Sequence, residues 1–415
     1  MPNLPRCELS AGRERFNFGW LAGVVVALLT GCTQPTQQTP VAVATPPAAP
    51  PPVIQPVPFP TAVTNAADAV FSGALAHSHL TGERQIVVID PLVNGVTGEQ
   101  SAATQQIQDR IVELAREKYP QFDVEPFSAA EVRAGPNVMV GTFTPVNAQG
   151  QTAGARSGYR FCLVMVDLRA GKTIAKGVAR AQMDGVNSTP TGFFQDSPAW
   201  TNDANVKSYI DTCQATKVGD PISQTYLNGI LTASVIAEAI NAYDGNNYRE
   251  ALDLYQSAQQ MPAGNQLRVY NGLYLTNWKL GQEDAATDAF GRLVDFGLDN
   301  HALGMKILFR PASTALEQGG PYDMWLQQIA THSAQRNVCL QVTGNSSPSG
   351  SPALNEQLSL LRAEYVQRVL EADAPLNNRV IATGAGASNN LIGTGADDLS
   401  DALDRRVEFK VIPTC

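Results

Sequence analysis

Residues 339–363 decide the reading: Cys339-Leu340-Gln341-Val342-Thr343-Gly344, then Asn345-Ser346-Ser347-Pro348-Ser349-Gly350-Ser351-Pro352, then Ala353-Leu354-Asn355-Glu356-Gln357-Leu358-Ser359-Leu360-Leu361-Arg362-Ala363. The first block has the composition of a short strand and the second is turn chemistry. In the third, Leu354, Leu358, Leu361, Tyr365 and Val369 advance by 4, 3, 4 and 4, which predicts a helix with those residues on its apolar face. Upstream lie Ile307-Leu308-Phe309 and the segment Tyr322 to Ile329. Downstream come a strand around Val380-Ile381-Ala382, a Gly-rich loop, and Arg406-Val407-Glu408-Phe409-Lys410-Val411, which alternates as a half-buried strand does.

Three blocks in this region stand in a telling order: Gly344 to Gly350, then Asn355 with Leu358-Ser359 and Arg362-Ala363, then Asp404-Arg405-Arg406-Val407-Glu408. They resemble the OmpA-like peptidoglycan-binding domain, whose members show G-H-T-D-x-x-G, N-x-x-L-S-x-x-R-A and N-R-R-V-E. The resemblance implies a βαβαβ domain with a mixed sheet over residues 301–415. It also implies a ligand, the peptidoglycan stem peptide, whose diaminopimelate is held between the Asp of the first block and the Arg of the second. A guanidinium fork matches a carboxylate and a carboxylate pairs with an ammonium. Position by position, the Arg is Arg362, the Asp is replaced by Ser347 and the His by Asn345, so the implied binding set is Ser347, Asn355 and Arg362. The acidic half of the clamp is missing. Ser347 offers a neutral hydrogen bond, roughly half as strong as a charge-assisted one. Arg362 is expected on the helix surface with its head free for a ligand carboxylate, or else simply solvated. The resemblance gives Arg405 and Arg406 a structural role.

Between residues 223 and 300, Tyr248, Ala251, Tyr255 and Ala258 share one helical face, and Gly281, Ala286 and Phe290 follow in a second copy. Ala251 to Ala286 and Tyr255 to Phe290 are both 35 residues apart. The pattern resembles tetratricopeptide (TPR) repeats, which implies a short α-hairpin array presenting a groove to a protein partner, or else a spacer packed on its neighbours.

Residues 64–222 read as an α+β sandwich. Ile86-Val87-Val88-Ile89 is a buried strand, and Ile107, Ile111 and Leu114 mark an amphipathic helix. Phe122 to Val124 and Val138 to Phe143 are strands, and Tyr159 to Asp167 and Thr173 to Met183 flank a turn at Ala170-Gly171-Lys172. One helix on a mixed sheet is the simplest packing. The element order is similar to the domain shared by CsgG and LpoB types of envelope lipoprotein. Gly171-Lys172-Thr173 is no phosphate loop, since Val166 stands where the first Gly is required. His77 and His79 lack nearby partners for a metal, and no cofactor is expected.

The amino terminus carries Arg6, Arg13 and Arg15, the apolar run Trp20 to Leu29, and then Leu29-Thr30-Gly31-Cys32. The run is too short to span a bilayer, which needs about 20 residues, and reads as a signal peptide over residues 1–31. The ending resembles a bacterial lipobox, which implies cleavage before Cys32, lipidation of Cys32 and membrane attachment through that lipid. Thr33 rather than Asp at the next position leans toward the outer membrane. Residues 32–63 read as a linker: from Thr33 to Pro60 there are ten prolines in 28 residues and no charge, a polyproline-type tether of up to about 90 Å.

Net charge is −9 with only 16% charged residues, and this acidic balance excludes nucleic acid as a partner. Removing residues 1–31 leaves Cys162, Cys213, Cys339 and Cys415 besides Cys32. An exported chain with four such Cys is expected to hold two disulfides; three pairings are open, and domain limits favour Cys162 with Cys213 and Cys339 with Cys415. The OmpA-like resemblance adds that the strand opened by Cys339 and the strand closed by Cys415 are antiparallel neighbours. The sequence thus predicts a multidomain α/β, non-catalytic outer-membrane lipoprotein facing the periplasm. It would associate with peptidoglycan and recruit an envelope protein partner. The alternative is an assembly or regulatory factor of a secretion system or peptidoglycan synthase whose OmpA-like domain no longer binds the wall.

Overall fold

Pro58 and Pro60 belong to the stretch expected as linker, yet they open a helix, α1 (Phe59–His77). Proline has a preset φ and no N–H to lose in a first turn. Behind it Ala62, Ala66, Ala67, Val70, Phe71 and Ala74 are all buried. The small residues let α1 lie close on its sheet: a Cβ on Gly177 would meet the Ala66 carbonyl oxygen at 1.9 Å. The computed structural model describes residues 55–77, 84–135, 137–152, 156–301, 303–317, 321–393, 395 and 400–415. The signal segment, Cys32, the linker up to residue 54 and His79 lie outside the described residues.

After α1 come β1 (Gln85–Ile89), β2 (Val93–Asn94), α2 (Ala102–Lys118), β3 (Phe122–Glu125), α3 (Ala129–Ala134), β4 (Asn137–Val146), β5 (Gly158–Asp167) and β6 (Lys172–Ala181). The sheet order is β3-β1-β4-β5-β6, with β2 beside β4. β1 is parallel to β3 and β4, whereas β4, β5 and β6 form an antiparallel meander. Gly171 turns the last hairpin at φ +61°. Next are α4 (Gly192–Asp196), α5 (Ala204–Gln214) and α6 (Gln224–Asp244). The expectation of a single helix on this sheet is corrected here. α1 and α2 bury one face, and Val206, Tyr209 and Ile210 of α5 with Tyr226 and Ile230 of α6 bury the other. Covered on both faces, β4 is buried along its whole length.

With α7 (Tyr248–Gln259), α8 (Leu267–Lys279) and α9 (Glu283–Asp299), α6 makes two successive helical hairpins. Ala251, Tyr255, Ala286 and Phe290, the residues spaced by 35, are completely buried. Tyr255 fills the gap opposite Gly272, where a Cβ would stand 2.3 Å from its ring.

The last part contains β7 (Ile307–Leu308), α10 (Tyr322–Gln335), β8 (Cys339–Gly344), α11 (Pro352–Asp373), β9 (Val380–Gly384), a 3-10 turn at Ser400–Asp404, and β10 (Arg406–Ile412). Its sheet has the order β7-β10-β8-β9, with β8 and β9 parallel and β10 antiparallel to β8 and β7. Both sheets are mixed.

One hydrophobic cluster runs from Phe193 and Tyr255 through Phe290 and Trp325 to Leu340 and Val366. Phe290 and Trp325 stack with centroids 5.7 Å apart. Lys306 adds a polar join: its Nζ donates to the Phe194 carbonyl at 2.8 Å and to the Glu99 carboxylate, and lies 4.5 Å from the Trp200 ring centroid. Residues 53–415 accordingly form one compact unit, with shared core at the boundaries expected near 222 and 300.

Candidate functional site

Gly344 ends β8, and Ser351 caps α11 through its hydroxyl, which accepts from the Leu354 N–H at 3.4 Å. Pro352 sits in the first turn, and Gly350, at φ +86°, makes the bend between them. The loop so formed sets Ser346, Ser347 and Ser349 against Asn355 and Arg362 of α11, around a groove of about 430 Å³. Leu354, Leu358 and Leu361 give it an apolar wall. The structure therefore brings together the implied set Ser347, Asn355 and Arg362.

Apart from the Arg362 guanidinium, the polar chemistry of the groove is neutral. Ser347 Oγ is 3.0 Å from Ser349 Oγ. Ser346 is 2% exposed and its Oγ has no hydrogen-bond partner among the described residues. No acidic residue and no lysine is among its described lining residues.

Arg362 departs from the expectation. It is a fully buried side chain, neither a surface fork nor a solvated head. Nε donates to the Ser313 carbonyl at 2.9 Å, one terminal nitrogen to that of Asn345 at 2.9 Å, and the other to that of Arg310 at 3.0 Å. Phe309 lies beneath it, with Cζ 5.4 Å from the ring centroid. The guanidinium ties the turn at 310–313 to the loop that begins at Asn345, two irregular segments with no ladder to accept from.

The face of α11 is corrected for a related reason. Asn355, Ser359, Arg362, Ala363, Val366 and Leu370 are buried, whereas Leu354 is 63% and Leu361 42% exposed. Gly344 and Gly384 press so near the helix that only small residues fit against them: a Cβ on Gly344 would stand 1.9 Å from the Ser359 carbonyl oxygen. Close backbone approach, not hydrophobicity, selects the inner face.

The third block is structural throughout. Asp404 accepts from the backbone N–H groups of Leu391, Ile392 and Gly393. Arg405 Nε donates to the Phe309 carbonyl at 3.0 Å, and Arg406 donates to Glu408 and to the carbonyls of Leu403 and Asn389. The cysteines meet as Cys162 with Cys213, Cα atoms 6.0 Å apart, and Cys339 with Cys415, 5.5 Å apart. The first ties α5 to β5; the second holds the carboxy terminus to the start of β8. Among the described residues no cluster of His, Cys, Asp or Glu is arranged to hold a metal ion, and no helix is long and apolar enough to cross a membrane.

Away from the groove, Asp90 follows β1 in a buried polar cluster that the sequence did not single out. Burial pushes its carboxyl up to about 7, against the opposing pull of Arg268 and a 2.9 Å hydrogen bond from Tyr226 Oη. A carboxyl raised in the folded state adds stability that is complete below its unfolded value near 3.8 and is lost as pH rises through about 7. Urea midpoints of wild type should fall across that window, and Asp90→Asn should flatten the slope. An equal slope in the variant would remove Asp90 from the account.

No family model matches the chain, and no curated protein matches it. Solved structures resemble about a quarter of it. The peptidoglycan-associated lipoprotein from Burkholderia pseudomallei is 20% identical over 28% of this chain and 93% of that one, with TM-score 0.24. The C-terminal domain of Helicobacter pylori MotB is 21% identical over 26% of this chain and 86% of that one, with TM-score 0.23. The cell wall anchor of the T6SS from Pseudomonas aeruginosa is 28% identical over 26% and 78%, with TM-score 0.22.

Proposed function

We propose that this chain is a non-catalytic outer-membrane lipoprotein, anchored through Cys32 and facing the periplasm, whose groove beside α11 associates with the peptidoglycan stem peptide. The observation that carries this reading is the convergence of Ser346, Ser347, Asn355 and Arg362 on one groove. Its hydroxyls have no His or carboxylate beside them among the described lining residues, which suits binding and not nucleophilic catalysis. Arg362, the one charged group in the described lining, is committed to backbone carbonyls, so contact with the wall rests on hydrogen bonds and apolar surface, and is weakly sensitive to salt.

Sedimentation of the full chain with purified peptidoglycan tests this. We expect co-sedimentation that survives about 0.5 M salt, where surface ion pairs are screened, and a several-fold tighter interaction for Ser347→Asp, which supplies a carboxylate for the ligand's ammonium. Absence of the chain from the pellet at any salt would overturn the wall reading. Cys32→Ala should release the protein from membranes.

A second reading is favoured by the shared core, which joins the groove-bearing sheet to the helical hairpins and the first sheet. It is an assembly or regulatory factor of an envelope machine. The partner-recruiting role of residues 223–300 then falls to their outer surfaces, since Tyr255 and Phe290 are buried. Crosslinking in intact cells to an envelope protein, with no sedimentation on peptidoglycan, would select it.

A further inference from the structure

A second cavity, of about 440 Å³, opens where α8, α10 and the segment around residues 188–196 meet. That size lies in the ordinary range for small-molecule sites, roughly 300 to 1,000 Å³. Four aromatic residues line it: Tyr274, Trp278, Tyr322 and Trp325. Three belong to the core. Trp278 does not, being 40% exposed. Trp325 Nε1 donates to Tyr274 Oη at 2.8 Å, which fixes the wall behind it.

The polar lining narrows the ligand. Asp196 pairs with Lys279 at 2.9 Å and accepts from Tyr243 Oη at 2.7 Å, so its charge is balanced while the carboxylate keeps lone pairs to offer. Glu317, also in the lining, has no ion-pair partner among the described residues. One uncompensated carboxylate disfavours phosphates and other anions. A cation cage needs several open ring faces, and of the four rings only Trp278 is exposed. What remains is a neutral molecule with a flat C–H face for an aromatic ring and hydroxyl groups for carboxylates around it. The faces of Trp and Tyr carry partial negative charge that attracts polarised C–H groups.

We propose that this cavity binds a neutral hexopyranose unit, with Trp278 as the stacking platform and Glu317 and Asp196 as acceptors for ring hydroxyls. The inference does not rest on the groove beside α11, since the probe sugars contain no peptide.

The test uses the full chain and two neutral probes, the N-acetylglucosamine trimer and cellotriose, followed by tryptophan fluorescence and titration calorimetry. We expect saturable binding of at least one probe. Trp278→Ala should weaken it about tenfold or more, as loss of an aromatic platform does, and Trp278→Phe should retain most of it. Glu317→Gln should weaken binding several-fold. Both positions are partly or largely solvent-facing, so thermal melting should match wild type in each variant, and Glu317→Gln serves alone if Trp278→Ala melts early. Failure of both sugars to saturate, or equal affinity in Trp278→Ala and Glu317→Gln, overturns the proposal. So does saturation by choline where the sugars do not bind, which would mark a cation cage.

Discussion

Arg362→Ala should destabilise the protein by about 3 to 5 kcal/mol, the range for deleting one partner of a buried charged network. The change removes three donors at 2.9, 2.9 and 3.0 Å and strands the carbonyls of Ser313, Asn345 and Arg310. The Asn345 carbonyl is left buried without its donor, which costs about 1 to 3 kcal/mol, whereas those of Ser313 and Arg310 are partly open to water. Arg362→Met should be milder, because the stem still packs on Phe309, and Arg362→Lys should lie close to it, since one ammonium cannot span three acceptors held by a planar fork. Urea denaturation of the three variants checks the order. A surface arginine waiting for a ligand predicts the opposite pattern, normal stability with weakened wall binding. That outcome would show the guanidinium to be free. A consequence follows for binding work: loss of sedimentation in Arg362→Ala reports a damaged loop, so Ser347 and Asn355 are the positions at which to probe the groove.

The sequence made legible whatever is written in periodic burial. Ile107, Ile111 and Leu114 are all buried on α2, the β5–β6 hairpin turns at Gly171, and Val407 and Phe409 of β10 face the core as alternation requires. Elements whose packing is governed by size were misread. α1 hides behind prolines, which mark linkers by composition but also start helices. On α11 the leucines at 354 and 361 face outward while Ser359 and Ala363 meet the sheet, because closeness of backbones outweighs the apolar area of larger residues. The groove residues were found by motif; their roles were not. Whether an arginine offers its fork to a ligand or to three carbonyls depends on loops at 310–313 and 345, far apart in the chain and without pattern of their own. The shared core escaped for the same reason: Phe290 reads as a repeat position and Trp325 belongs to no pattern, and only their stacking across α9 and α10 shows the join.

Gly344→Ala should cost about 3 kcal/mol or more, at or beyond the upper end for overpacking a tight core. Gly344 lies in β8 paired to both Val407 and Gly384, so the strand is held from two sides and cannot recede. The added methyl would stand 1.9 Å from the Ser359 carbonyl oxygen, 2.8 Å from its carbon and 3.3 Å from the Ala363 nitrogen. All three are helix backbone, so no rotamer change relieves the clash and trimming Ser359 to Gly would not rescue the variant. Only outward movement of α11 can make room. That movement would stretch the Arg362 bond to Asn345, one residue beyond Gly344, and widen the groove between loop 345–350 and the helix. Gly185→Ala is the control: Gly185 has φ +74° and nothing within 4 Å of a Cβ, so its cost is backbone strain alone, about 1 to 2 kcal/mol. Denaturation of both variants separates space from strain. A Gly344→Ala protein as stable as the Gly185→Ala control would mean that α11 does not press on β8, and the explanation given for its inward serine and alanine would fall with it.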